Sequence, residues 1–396
     1  MNRLQAVHIP SGLRGFDHGD AATVFDLQWQ GDRIDAITPC APGTAAQGLL
    51  LPALVDVHLH LDKTHTVHET GPANGDLFRA IDLIARHRAG WTPQNLRPRM
   101  ERGLQEAWDS GVRAVRTHLD WMSRERPPSV DVIESLRDAW RGRIEIQWVS
   151  LTALDQLDDL TWAGEMARQV KAAAGVLGCF IYRHADVQRR LATVFDLATA
   201  HDLDLDFHVD EGLDADATAL ADIAAFTLQR GWQGRVTCGH ACSLSVQPAA
   251  QAQATLEQVA RAGITLTALP TTNLYLQGSW RDTPVERGIT RLREARAAGV
   301  RTCIASDNVA DPFFPYGCHD PLEAWALGVQ VAHLAPAEDW LDTITVAPAR
   351  AMKLDWDGRL APGCPADFIL LAARDGLQAM APAGRQRRIC RQGQWT

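Results

Sequence analysis

Eight apolar, β-rich runs recur along this chain, separated by stretches with the spacing of amphipathic helices. The runs span 53–60, 112–119, 144–151, 175–181, 203–209, 234–240, 264–268 and 301–307, and the helical stretches span 94–109, 161–174, 187–201, 215–230, 251–262 and 286–298. Such alternation predicts a parallel α/β fold, whose strands are apolar on both faces because helices cover the sheet. Eight units of this kind fit a closed (β/α)8 TIM-type barrel. A doubly wound open sheet satisfies the alternation alone, but polar residues at the ends of runs one, five, six and eight converge only if the sheet closes.

The two ends read differently. Residues 1–50 and 356–396 are short strands and turns, punctuated early by Gly12, Gly15, Gly19, Gly31 and Gly43. They predict one small β-sandwich domain assembled from both termini, with residues 51–355 forming the barrel. Residues 121–130 read as a surface loop, and the Arg385 to Arg391 run as a solvated strand or turn. A formal net charge of −9 argues against binding to a phosphate backbone. No apolar run is long enough for a membrane helix, and residues 1–15 lack the apolar core of a secretion signal. The eight cysteines are scattered, with no second pair to complete a zinc site around Cys238 and Cys242, so a reducing cytoplasm is the expectation.

The chemistry gathers at the run ends. The run that begins Leu49-Leu50-Leu51-Pro52, where Pro52 suits the start of a strand, closes on Val57-His58-Leu59-His60. Two imidazoles two positions apart leave a strand on the same face, so both can reach one ion. Later runs end in His208 with Glu211 beyond it, in His240, and in Asp307. His58, His60, His208 and Asp307 supply four ligands suited to one divalent ion of the zinc type, which lowers the pKa of a bound water toward about 7. Glu211 is placed to shuttle a proton to the leaving group, His240 to orient the nucleophile or stabilise developing charge, and Asp307 also to accept the water proton. Taken singly, each has a plainer reading: a hydrogen-bonded histidine, a helix N-cap for Asp307, a solvated loop carboxylate for Glu211.

With these residues in place the chain resembles the amidohydrolase superfamily, in its cytosine deaminase-like branch. The resemblance rests on His58-Leu59-His60-Leu61-Asp62-Lys63-Thr64, Arg116-Thr117-His118-Leu119-Asp120, His208-Val209-Asp210-Glu211 and Gly239-His240. It continues through Asn273-Leu274-Tyr275-Leu276-Gln277-Gly278, Arg287-Gly288-Ile289-Thr290-Arg291, Ser306-Asp307-Asn308 and Asp311-Pro312-Phe313, and ends in Thr345 to Ala351 with Gly363 to Asp367. It implies a barrel with one iron or zinc ion, metal-bound hydroxide attacking an amino-bearing ring carbon, release of ammonia, and a homo-oligomer. It also implies the same metal and proton-transfer residues. Two-metal relatives carry a carbamylated lysine on a middle strand. Here 178–184 contains no lysine, Lys63 lies elsewhere, and one ion is expected.

Departures from the branch touch the substrate. Asn308 stands where cytosine deaminases carry a second Asp, and Ala153 where they use a Gln; Phe313 and Leu77 fall at an aromatic and an apolar wall position. Asn both donates and accepts whereas a carboxylate only accepts, so a small heterocycle other than cytosine is expected. Trp121 reads equally as mouth or structural aromatic, and His184 as a surface residue with the pocket as its alternative. Hydrolysis of an N-alkylamino-triazine, resembling N-isopropylammelide hydrolysis, or of a cyclic amide is the second enzymatic reading. An inactive metal-holding protein is the third.

Overall fold

In the computed structural model, which describes residues 2–17 and 22–396, the eight expected runs form one parallel sheet in chain order. Its strands are Leu54–Leu59, Val112–Asp120, Glu145–Ala153, Val176–Ile181, Leu205–Val209, Val236–His240, Thr265–Ala268 and Arg301–Ile304. The sheet closes. The backbone N–H of Asp307 donates to the carbonyl of His58 at 3.0 Å, and Leu59 bridges Asp307 in parallel. One step further down the seam, Ser306 Oγ donates to Asp56 Oδ2 at 2.5 Å, with both side chains buried. Closure removes the open-sheet alternative, and with it any exposed sheet edge. Inside the barrel, Arg116 donates to Asp206 at 2.9 Å, linking strands two and five with both charges sealed from solvent.

The six expected helices are present as Pro93–Asp109, Leu160–Ala172, Val187–His201, Ala219–Gln229, Ala249–Arg261 and Leu292–Ala297. The last is shorter than 286–298 because Gly288 turns the chain at φ +64° and Thr290 binds the His240 carbonyl instead of starting a helix. Helices Leu77–Arg88, Pro128–Ala139 and Pro321–Val331 are additional. The expected loop at 121–130 is therefore corrected at its end. Pro128 opens a helix where its missing N–H costs nothing, and Ser129 and Val130 are buried. Trp121 is also buried and packs in the hydrophobic core, which settles it as a structural aromatic.

Both termini join a seven-stranded mixed sheet in the order 394–395, 387–391, 368–371, 48–52, 2–8, 24–30 and 33–39. Pro52 ends the strand Gly48–Pro52 of this sheet and does not begin the barrel strand. Ala53 separates the two strands, its N–H donating to the Asp367 carbonyl. The basic run is a strand, Arg387–Arg391, but it is not solvated throughout. Arg387 pairs with Asp320 at 2.6 Å, and the guanidinium of buried Arg391 lies 3.4 Å from the centre of the Trp108 ring. Gly19 lies outside the described residues. Among the described residues no helix is long and apolar enough to cross a membrane, and all eight cysteines are free thiols.

Candidate active site

The strand ends at the mouth of the barrel bring His58, His60, His208 and Asp307 together. His208 Nε2 lies 3.1 Å from His58 Nε2 and 3.2 Å from His60 Nε2, and Asp307 Oδ1 lies 3.5 and 3.3 Å from the same two atoms. All four side chains are buried. Burial holds the three imidazoles well below their ordinary pKa, so they stay neutral with lone pairs available. Three ring nitrogens and one carboxylate oxygen crowded at these distances repel unless a cation sits among them. The donor set suits zinc or iron(II), and the residues fit the ion that their pattern implies.

Glu211 and His240 stand beside this cluster, 3.5 Å apart from Oε1 to Nδ1. Burial, with the Asp307 charge nearby, raises the Glu211 carboxyl well above the ordinary range and so favours its protonated form. His240 Nδ1 lies 3.0 Å from Asn273 Oδ1, which can only accept, and this assigns the proton to Nδ1 and leaves Nε2 as the free base. His240 and Asp307 both adopt left-handed backbone, at φ +70° and +62°. Non-glycine residues held there cost on the order of 1–3 kcal/mol each, a cost commonly met where side chains must be aimed at a reacting group.

Leu77, Ala153, Asn308 and Phe313 line one mainly apolar cavity of about 510 Å³, together with His60, His208, Glu211 and His240. His184 lines it too, its Nε2 3.5 Å from Asp155 Oδ1, which corrects its reading as a surface residue. Gln156 reaches the same cavity from the turn after the third strand, its Oε1 accepting from Thr152 at 2.8 Å. The amide absent at Ala153 is thus present three residues on.

A model described as the amidohydrolase family matches residues 92–392. The chain belongs to the amidohydrolase family. Among curated relatives, this amidohydrolase is 37% identical over 349 residues to a pterin deaminase of Rhizobium rhizogenes, covering 87% of this chain and 80% of that one. It is 24% identical over 370 residues to the N-isopropylammelide isopropyl amidohydrolase of a Pseudomonas species, covering 88% and 87%. Among solved structures, 5-methylcytosine deaminase of Klebsiella pneumoniae with phosphonocytosine superposes with a TM-score of 0.86 at 26% identity, covering 100% of this chain and 97% of that one.

Several residues of the amidohydrolase site had no role assigned from sequence. Lys63 Nζ sits 2.9 Å from Asp120 and 3.2 Å from Asp62, and Arg88 reaches Asp120 at 2.6 Å, so a buried charge network forms one cavity wall. His118 stacks on His58 with ring centres 4.0 Å apart. Gly239 matters by lacking a side chain: a Cβ there would lie 2.9 Å from His58 Cε1 and 3.1 Å from Nδ1. His118 and His208 flank the His58 ring and leave it no retreat. Gly239→Ala is therefore expected to weaken metal affinity by about 10- to 100-fold, the scale of changes that displace a ligand from outside. Titration of the metal-free protein with zinc reads this, and unchanged affinity would refute the steric argument.

Proposed function

We propose that this amidohydrolase removes ammonia hydrolytically from an aminated N-heterocycle, with an aminopteridine or a similar 2-amino-4-oxo ring as its substrate class. The observation that carries the reading is the placement of Glu211 and His240, 3.5 Å apart, beside the ligand cluster and lining a cavity roomy enough for a bicyclic ring. The 37% identity to a pterin deaminase supports the choice of ring.

His58, His60, His208 and Asp307 would hold a single zinc or iron ion, which when bound supplies a water of lowered pKa. The chain's own groups do the rest. Glu211 gives its proton to the ring nitrogen beside the attacked carbon as the water oxygen adds there. The emptied carboxylate takes one proton from that oxygen, passes it to the departing nitrogen and then takes the second, so the C–N bond breaks with ammonia as product, a ring carbonyl remains and Glu211 regains its proton. His240, fixed by Asn273, turns Nε2 toward the added oxygen and holds it in place. Leu77 and Phe313 exclude bulk water from the ring. In this reading the enzyme works as a homo-oligomer in the cytoplasm.

The test is ammonia release by metal-loaded enzyme across pterins, aminopyrimidines, aminotriazines and cyclic guanidines. Release from a 2-amino-4-oxo ring is expected, and silence across the whole panel would end the deaminase reading. The N-isopropylammelide relative keeps one alternative in view, an N-alkylamino-triazine as substrate. An alkylamine as product would favour that alternative.

A further inference from the structure

Asn308 is buried, follows Asp307 directly and faces the cavity. Its amide is not free to turn. Nδ2 donates to Asp311 Oδ2 at 2.7 Å, and Asp311 Oδ1 accepts from the backbone N–H groups of Phe313 at 2.8 Å and Phe314 at 3.1 Å. Burial pushes the Asp311 carboxyl up to about 8 against the pull of these three donors, and whenever it is ionised only the NH2 end of Asn308 can meet it. Reversing the amide would set two acceptor oxygens against each other at the same short distance. The carbonyl Oδ1 of Asn308 makes no hydrogen bond in the protein and is not sealed from the cavity. The site therefore presents a fixed acceptor beside the ligand cluster, even though an asparagine in isolation offers either end.

We infer that Asp311 is a positioning residue that sets substrate choice: by locking Asn308 with its carbonyl toward the cavity, it selects heterocycles carrying a ring N–H next to the amino-bearing carbon. A 2-amino-4-oxo-pyrimidine ring, single or fused, has that N–H. A 4-aminopyrimidine such as cytosine has a C–H or an unprotonated nitrogen at the positions flanking its amino carbon, and gains nothing from the acceptor. The inference rests on the deaminase reading for its chemistry, but its geometry concerns binding.

The chemistry of the pair suggests its own inversion. In Asp311→Asn, the new side chain must keep its oxygen toward the Phe313 and Phe314 N–H groups, which turns its NH2 to Asn308. Asn308 then offers its oxygen to that NH2 and its own NH2 to the cavity, where it opposes the ring N–H. A fall in kcat/KM of about 10- to 100-fold is expected for pterin, the scale set by an unpaired buried donor. In the double variant Asn308→Asp with Asp311→Asn, one oxygen of the carboxylate accepts from residue 311 and the other faces the cavity, so activity is expected to return to within about 5-fold. A residue that only held the fold would give no such rescue.

Equilibrium binding of pterin and of N3-methylpterin, both on the Glu211→Gln background, reads the same preference without turnover. The parent is expected to favour pterin by at least 10-fold, Asp311→Asn to lose that preference, and the double variant to regain it. Asp311→Asn with full activity and preference, or a folded double variant without recovery, would overturn the role given to Asp311. Absence of ammonia across the whole panel with the binding preference intact would overturn the deaminase reading alone. Failure of every protein to bind pterin would overturn the inference and the choice of a pterin-like ring.

Discussion

Glu211→Gln is expected to cut kcat by about 10²- to 10⁴-fold while leaving metal content and melting temperature near those of the parent. The substitution keeps the shape and size of the side chain in a buried position, so packing changes little. What it removes is the titratable proton. In the parent, burial and the Asp307 charge favour that proton on the carboxyl, 3.5 Å from His240. An amide can donate to the ring nitrogen but can neither release its proton nor take the one from the added water, so binding survives and turnover does not. Single-turnover kinetics on the metal-loaded variant checks this. Activity within a few-fold of the parent would remove Glu211 from the reaction.

His58→Ala is expected to leave no measurable metal after dialysis, with activity at background. His58 Nε2 lies 3.1 Å from His208 Nε2 and 3.5 Å from Asp307 Oδ1, so losing it opens the middle of the ligand set. The ring is fully buried and packed on His118, and its removal also leaves a void. Elemental analysis must therefore be paired with circular dichroism on the same sample. A folded variant that retains full metal occupancy would refute the assignment of His58 as a ligand.

The barrel was legible in the chain because strands covered on both faces are written as unbroken apolar runs, and polar residues at their ends have nowhere to go but the mouth. His58, His60, His208, Glu211, His240 and Asp307 stood out for that reason. Helices Leu77–Arg88 and Pro128–Ala139 did not. The first needs Asp76 as its N-cap, accepting from Arg79 at 3.0 Å, and the second hides behind a Pro-rich stretch that reads as loop until Pro128 is taken as the first helical residue. Lys63, Asp120 and Arg88 were illegible for a different cause. Charged residues default to solvent, and only the folded chain shows three of them compensating one another against a cavity wall. Asn273 and Asp311 work through the orientation of a neighbour, and a motif match does not reveal which end of an amide points where.

The seam between Leu59 and Asp307 joins the first barrel strand to the residues just past the last, and the same few residues carry three of the four expected ligands. The ligand set therefore spans the most distant contact of the barrel, where the loop that must be closed is longest. A partly folded chain with seven strands in place has His58 and His60 on one open edge and no Asp307 to meet them. An ion held by the four expected ligands would be captured late, once the barrel is finished, and would clasp the seam, since anything bound only by the native chain stabilises it in proportion to occupancy. Depleting the metal would then do more than silence the chemistry: it would loosen the barrel at the joint where it was last closed.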